Sequence, residues 1–118
     1  MNDALVLRAA LAAGPEGRAF EPFRDGIEIC WLYRNGEHGP AAAFLRYAAG
    51  ARVPMHLHAG YEHVLILRGS QTDRTGRQGA GTLVVNPPGT RHEVLSEEGC
   101  LALVIWERPV IFEPAAED

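Results

Sequence analysis

The sequence contains no lysine. Its 11 basic side chains are all arginine, which excludes Schiff-base chemistry, a lysine general base and the phosphate-binding lysine of a P-loop. Serine occurs only at Ser70 and Ser96, neither in a Gly-x-Ser-x-Gly setting, so a nucleophile elbow is absent. Cysteine is scarce as well. Cys30 lies between Ile29 and Trp31 and Cys100 between Gly99 and Leu101, the surroundings of small buried hydrophobes, and two thiols make no dense disulfide framework. Buried free thiols point to the cytoplasm, the alternative being one sulfur near a metal or a single bridge. No apolar run approaches the length that crosses a bilayer. The opening stretch from Met1 to Ala13 has Asp3 as its leading charge and Arg8 inside its apolar run, so it reads as mature chain rather than secretory signal. Basic clusters are missing too. With 15 acidic residues spread along the chain and a net charge of -4, neither nucleic acid nor membrane is expected as a partner.

What is present fits one domain of 118 residues. The 13 glycines and 8 prolines are too evenly spaced for long helices and bound short segments rich in Val, Ile, Leu and aromatics. The expected class is all-β, a small antiparallel barrel or jelly roll, with strands over 5–8, 18–23, 26–34, 40–48, 52–56, 61–68, 82–85, 91–95 and 100–108. Turns are explicit at 34–37, 73–76, 87–89 and 97–99, and Asn35-Gly36 marks a hairpin joining 26–34 to 40–48. The organisation expected is amino-terminal strands over 1–25, packed on or swapped across the barrel, a barrel over 26–112 and a frayed polar tail over 113–118. The 61–68 strand is apolar on both faces, Glu62, Val64 and Ile66 on one and His63, Leu65 and Leu67 on the other, and Leu101 to Trp106 is similar. Something must cover an outer face, either the amino-terminal strands or a second subunit, and a homodimer is the expected partner.

The histidines carry the chemistry. His56 and His58, one residue apart on an extended segment, project from the same face, about 6 to 7 Å apart along the backbone. Glu62 follows after Ala59-Gly60-Tyr61 and starts the next strand on the face shared with Val64 and Ile66, where a carboxylate needs a partner. A divalent cation held by Glu62 and the two imidazoles resolves that cost, with His92, beyond the Pro87-Pro88-Gly89 turn, as fourth ligand. His63 falls on the opposite face and reads as structural or interfacial, and His38 as a solvated loop residue. Trp31, Tyr33, Phe44, Tyr47 and Trp106 read first as core, one or two of them at the pocket mouth. Phe44, Arg46 and Tyr61 are the candidates for a substrate pocket. Arg46, on the face of Phe44, either greets an anionic substrate inside the barrel or is solvated outside it.

These residues stand in a known pattern. Gly50, His56, His58, Glu62 and Gly69 match the first cupin motif, G(x)5HxH(x)3-4E(x)6G, at every fixed position, and Gly81, Pro87, Gly89 and His92 match the second, G(x)5PxG(x)2H. The second motif commonly continues to an Asn where this chain has Ser96, which is not a ligand position. The chain thus resembles the cupin superfamily, with its RmlC-like jelly roll. From about Gly26 to Phe112 it is similar to the cupin domain of ChrR-type anti-sigma factors, through Phe44 to Pro54, Asn86 to Gly89 and Glu97 to Cys100. The resemblance implies one divalent metal at His56, His58, Glu62 and His92, of which Fe, Zn, Mn and Ni are equally served by these ligands. ChrR-type proteins also carry an amino-terminal zinc-binding helical module with His and Cys ligands. With no Cys-x-x-Cys and about twenty residues ahead of the barrel, no sigma factor is expected as a partner.

Three functions fit this pattern. The first is a small metal-dependent oxidoreductase of the dioxygenase type, acting on a small organic molecule at the metal. The second is a non-catalytic sensing or regulatory cupin of the ChrR-like type. A metal-dependent isomerase or lyase ranks last, because beyond Glu62 only Tyr61 and Tyr47 remain as acid or base groups.

Overall fold

Short β-branched and aromatic segments between Gly and Pro turns pair into one curled antiparallel sheet of ten strands in the computed structural model, which describes residues 3–113. A four-residue helix α1 (Ala10–Ala13) comes first. The strands are β1 (Glu21–Arg24), β2 (Ile27–Arg34), β3 (Ala41–Tyr47), β4 (Ala51–Leu57), β5 (Glu62–Asp73), β6 (Gly76–Gly79), β7 (Leu83–Asn86), β8 (Arg91–Ser96), β9 (Cys100–Trp106) and β10 (Ile111–Phe112). β2 and β3 pair as the Asn35-Gly36 signal predicts, with Ile29 opposite Leu45, and Asn35 N–H closes the loop on the Pro40 carbonyl at 3.0 Å.

The 12-residue strand β5 makes the two walls of the half-barrel one sheet. Up to Gly69 it lies between β9 and β7, in the wall that also holds β1, β2 and β3. From Ser70 it pairs with β6 and meets β8 at Thr72 opposite Leu95, in the wall that holds β4 and β10. Gly69 sits at the crossing with φ 71°, its position for a Cβ 1.9 Å from the Gly99 carbonyl oxygen. Ser96 closes the seam by donating its Oγ hydrogen to the Ser70 carbonyl at 2.7 Å.

Strand alternation sorts the apolar residues into two layers. Ile27, Ile29, Leu45, Val64, Ile66, Val104 and Trp106 face inward and form the main core. Cys30, Phe44 and Leu101 face outward and pack under Leu7, Ala10 and Phe20. The amino-terminal segment therefore covers part of the outer face, as one of the two expected alternatives requires, but not as paired strands throughout. The strand expected over 5–8 is absent. Leu5, Val6 and Leu7 lack a pairing partner, and the Ala-rich residues after them form α1, whose Ala12 carbonyl accepts from Arg68 at 2.8 Å. The 18–23 strand starts only at Glu21. Strands β6 and β10 were not expected. Of the polar tail expected over 113–118, Glu113 is tied down, its N–H on the Met55 carbonyl and its carboxylate 2.8 Å from Arg91; 114–118 lie outside the described residues, as do residues 1–2.

Both cysteines are buried free thiols, as expected. Burial pushes the Cys100 thiol up to about 11, against a weaker opposing contact from the Gln71 amide. At about pH 8 the reactive thiolate is then roughly one part in a thousand. Iodoacetamide is expected to leave native Cys100 unmodified over a period that fully alkylates a denatured control, read by mass spectrometry of its peptide. Rapid native labelling would show that this end of the core opens.

Candidate metal centre

Three imidazoles come from one wall and a carboxylate from the other. His56 on β4 lies directly opposite His92 on β8, and cross-strand neighbours on one face have Cβ atoms about 5 Å apart. Just beyond β4, the backbone N–H of His58 donates to the Thr90 carbonyl at 2.8 Å, beside the Pro87-Gly89 turn. The three rings lie 4.7 to 5.1 Å apart between centroids. Glu62 opens β5, and one ligand atom from each of His56, His58, Glu62 and His92 falls within 4.8 Å of all the others. His56, His58 and Glu62 are buried, and His92 sits nearer the mouth with its side chain 11% exposed.

Hydrogen bonding decides which ring nitrogen carries the proton. Nδ1 of His56 faces the Pro54 carbonyl at 2.8 Å, and Nδ1 of His58 faces the Thr90 carbonyl at 2.9 Å. A carbonyl only accepts, so both Nδ1 atoms donate. His92 Nδ1 donates to the Asp73 carboxylate at 2.7 Å. In the neutral rings all three Nε2 atoms are then bare lone pairs. His58 Nε2 is buried without a hydrogen-bond partner and stands 3.2 Å from a Glu62 oxygen. Lone pairs and a carboxylate converging without a proton between them repel one another unless a cation lies among them. The donor set thus fits a divalent transition ion, with each ligand oriented by a second residue behind it.

Those supporting residues escaped the sequence reading. The carboxylate of Glu62 is gripped from both neighbouring strands: Trp106 Nε1 donates to one oxygen at 2.7 Å and Asn86 Nδ2 to the other at 2.9 Å. Trp106 and Asn86 are its direct register partners on β9 and β7. Burial pushes the Glu62 carboxyl up and the Trp106 N–H pulls it down; when His58 and His56 carry their protons, the balance lies below the usual carboxylate range. Burial lowers His56, outweighing its contacts with Pro54 and Glu62, which keeps the ring neutral. Asp73 closes the β5–β6 hairpin with Thr75 N–H on its Oδ1 at 2.8 Å, while its Oδ2 holds His92. Only the hairpin role was visible, as an Asp-x-Thr-Gly turn.

A cavity of about 90 Å³ adjoins the cluster, walled by Ile27, Leu45, Val64, Val84, Val94 and Val104, with Tyr47, Gln71, Thr72, Asp73, Thr75, Gln78 and Asn86 among its polar lining. Burial holds the Tyr47 phenol far above its ordinary pKa, so it stays a neutral O–H. Among the described residues, no arginine lines this cavity.

None of the three substrate-pocket candidates lines it either. Phe44 is 1% exposed in the outer layer beneath the amino-terminal segment. Arg46 is solvated outside, 2.8 Å from Glu28 and stacked 4.0 Å from the Phe20 ring. Parity explains both, since Leu45 and Tyr47 are the inward residues of β3. Tyr61 is 47% exposed at the turn before β5, its backbone tied to Glu107. His63 is half-buried on the outer face and His38 exposed in its loop, as expected.

The site and fold have matches among known proteins. The ChrR cupin-like domain family matches residues 9–108. The anti-sigma-E factor ChrR of Cereibacter sphaeroides is 35% identical over 126 aligned residues, which cover 93% of this chain and 59% of ChrR. The chain thus spans somewhat over half the length of that relative. The crystal structure of Rhodobacter sphaeroides SigE in complex with the anti-sigma ChrR matches with 29% identity and a TM-score of 0.65, over 74% of this chain and 47% of that one. That relative is seen with a sigma factor, which runs against the expectation that such a partner is excluded. An acetylacetone dioxygenase from Acinetobacter johnsonii shares the fold at 16% identity and a TM-score of 0.77, over 98% of this chain and 80% of that one. With both motifs in place and the family match covering most of its length, the chain belongs to the ChrR cupin-like domain family.

Proposed function

We propose that this cupin holds one divalent transition metal ion through His56, His58, Glu62 and His92 and offers it to a small organic molecule in the adjoining cavity. The observation that carries this reading is the orientation of three Nε2 lone pairs and a buried carboxylate toward one point, with the Nδ1 of each ring already committed, to Pro54, Thr90 and Asp73 in turn. A bound ion there supplies a Lewis acid and, as iron(II), an electron source for dioxygen. The chain's own residues do the rest. The valine and isoleucine walls exclude water, and the neutral Tyr47 O–H can donate a hydrogen bond to an oxygen of the bound molecule. With no arginine among the described lining residues, the fitting substrate is uncharged or binds its single negative charge at the metal.

In the enzymatic form of this reading the chain is a dioxygenase-type oxidoreductase. Oxygen uptake by the iron(II)-loaded protein across phenolic, thiol and diketone compounds is the test, with uptake above the metal-only control by one class as the expected result. Binding of such a compound without uptake favours the second reading, a metal-dependent sensing module, for which the 35% identity to an anti-sigma factor speaks. Under that reading a sigma factor is an available partner, and a pull-down against SigE-type factors tests it. Two buried free thiols agree with a cytoplasmic setting for either form.

A homodimer belongs to the same proposal. The amino-terminal segment leaves Ile105 41%, Leu83 57% and Val85 46% exposed on neighbouring strands of one outer face. A contiguous apolar face of this kind is covered in an assembly. Light scattering at micromolar concentration is expected to give twice the chain mass of 12.8 kDa; the monomer mass would overturn this.

A further inference from the structure

A second cavity, of about 200 Å³, lies against the far side of Trp106. Its walls are Trp31, Trp106, Phe23, Pro109, Val110 and Phe112. Trp31 and Trp106 are tilted at 49° with centroids 6.1 Å apart, and Phe23 meets Trp31 edge-on at 6.2 Å. Arg34 stacks 4.6 Å from the Trp31 ring and, with Glu37, marks the rim. Phe23, Trp106, Val110 and Phe112 also wall the cavity beside the four-residue cluster, so the two spaces share these four residues as a common wall.

Size makes this separation informative. The inner space, about 90 Å³, is smaller than the roughly 150 Å³ apolar cavity that accepts one benzene. It takes a coordinating group of a few atoms and no ring. The outer space is large enough for a ring and is lined by the faces and edges that aromatic groups prefer. Two of the four residues in the common wall stand on lightly held strands. Phe112 belongs to a strand held by two register pairs, and Phe23, 42% exposed, to the edge strand β1. The Phe112 ring also meets the Arg24 guanidinium, 4.1 Å from its centroid, and the His56 ring at 5.7 Å, so a ligand that joins the two spaces displaces Phe23 or Phe112 from this wall.

We infer that the outer cavity is a binding site for the planar apolar tail of the ligand, which is therefore bipartite: a small coordinating head at His56, His58, Glu62 and His92, and an aromatic ring against Trp31 and Trp106. This rests on the metal reading above and adds the specificity determinant. Trp106 touches both halves, since its ring walls the tail site and its N–H holds the carboxylate of Glu62.

The test compares acetohydroxamate, a metal-chelating head alone, with 3-phenylpropanohydroxamate on the zinc-loaded protein by titration calorimetry. The phenyl compound is expected to bind at least about tenfold tighter. Trp31→Ala is expected to abolish that gain and Trp31→Phe to retain most of it, with acetohydroxamate affinity unchanged within about twofold in both. Should Trp31→Ala fail to fold, Glu37→Trp, a change at an exposed rim residue, fills the mouth and is expected to abolish the same gain. Equal affinity of the two compounds, or a gain that survives Trp31→Ala or Glu37→Trp, overturns the tail site while leaving the metal reading intact. Failure of acetohydroxamate to bind the zinc-loaded protein overturns the metal reading and the tail site with it.

Discussion

Replacing His58 with alanine is expected to reduce bound metal from one ion per chain to below about a tenth, and to weaken affinity by more than about 100-fold. His58 is the residue to choose because it is the deepest imidazole of the cluster, 1% exposed, with its Nδ1 committed to Thr90 and its Nε2 facing inward without a partner. Alanine removes the ligating ring without adding bulk, while the backbone N–H of residue 58 still donates to the Thr90 carbonyl. Metal analysis after dialysis of native and variant protein reads the result, and equal stoichiometry in both would place the ion elsewhere. The pH dependence follows from the same geometry. A ligating imidazole must be neutral, and burial lowers the pKa of His56, so its neutral form persists to lower pH than in free histidine. Proton competition at His56 therefore begins below the ordinary value of about 6.5, and metal bound at neutral pH is expected to be released on acidification below about pH 6.

Gly69→Ala is expected to cost about 3 to 5 kcal/mol, a large fraction of the stability of an ordinary domain. A Cβ there would sit 1.9 Å from the Gly99 oxygen and 2.8 Å from its carbonyl carbon, both backbone atoms that cannot turn aside. The φ of 71° adds its own strain for any residue with a Cβ. Relief would have to come from parting β5 and β9 where Gly69 lies opposite Cys100, and with them the seam between the walls. Gly50→Ala, at φ 85° in open space, is the control: it carries the strain of the left-handed backbone without a clash and is expected to lose roughly 1 kcal/mol. Denaturant melts of the two variants, compared with the parent, separate the contributions.

The cluster was readable because its four members and their flanking glycines stand at fixed intervals on strands whose side-chain direction alternates. His56 and His58 need only the parity of an extended segment to share a face, and the structure brings them together, His56 on β4 and His58 just beyond its end. Asp73, Asn86 and Trp106 were not readable for the complementary reason. Each reaches its ligand through inter-strand register, Trp106 across 44 residues, Asn86 across 24 and Asp73 across 19, and register is decided by bulges and by the crossing at Gly69 rather than by local pattern. Phe44 and Arg46 show the same limit. Their mutual face followed from spacing, but whether that face was inside or outside depended on the neighbours of β3, both of which had to be placed first. The short β10 and the coil over 5–8 mark the ends of the chain, where tertiary contact with β4 or the outer layer outweighs apolar character in setting backbone structure.

The long sequence separation of these anchors has a consequence for how the protein reaches its native state. The β5–β6 hairpin closes locally, whereas Glu62 meets Trp106, and His58 meets Thr90, only after loops of 44 and 32 residues have closed. The coordinating point draws on β4, β5 and β8, with β9 orienting Glu62 through Trp106, so its four members are expected to converge only as the sheet assembles. A ligand that needs all four residues at this point favours the native state, and its binding free energy appears as resistance to unfolding, up to about 4 kcal/mol at a free concentration 1,000 times its dissociation constant.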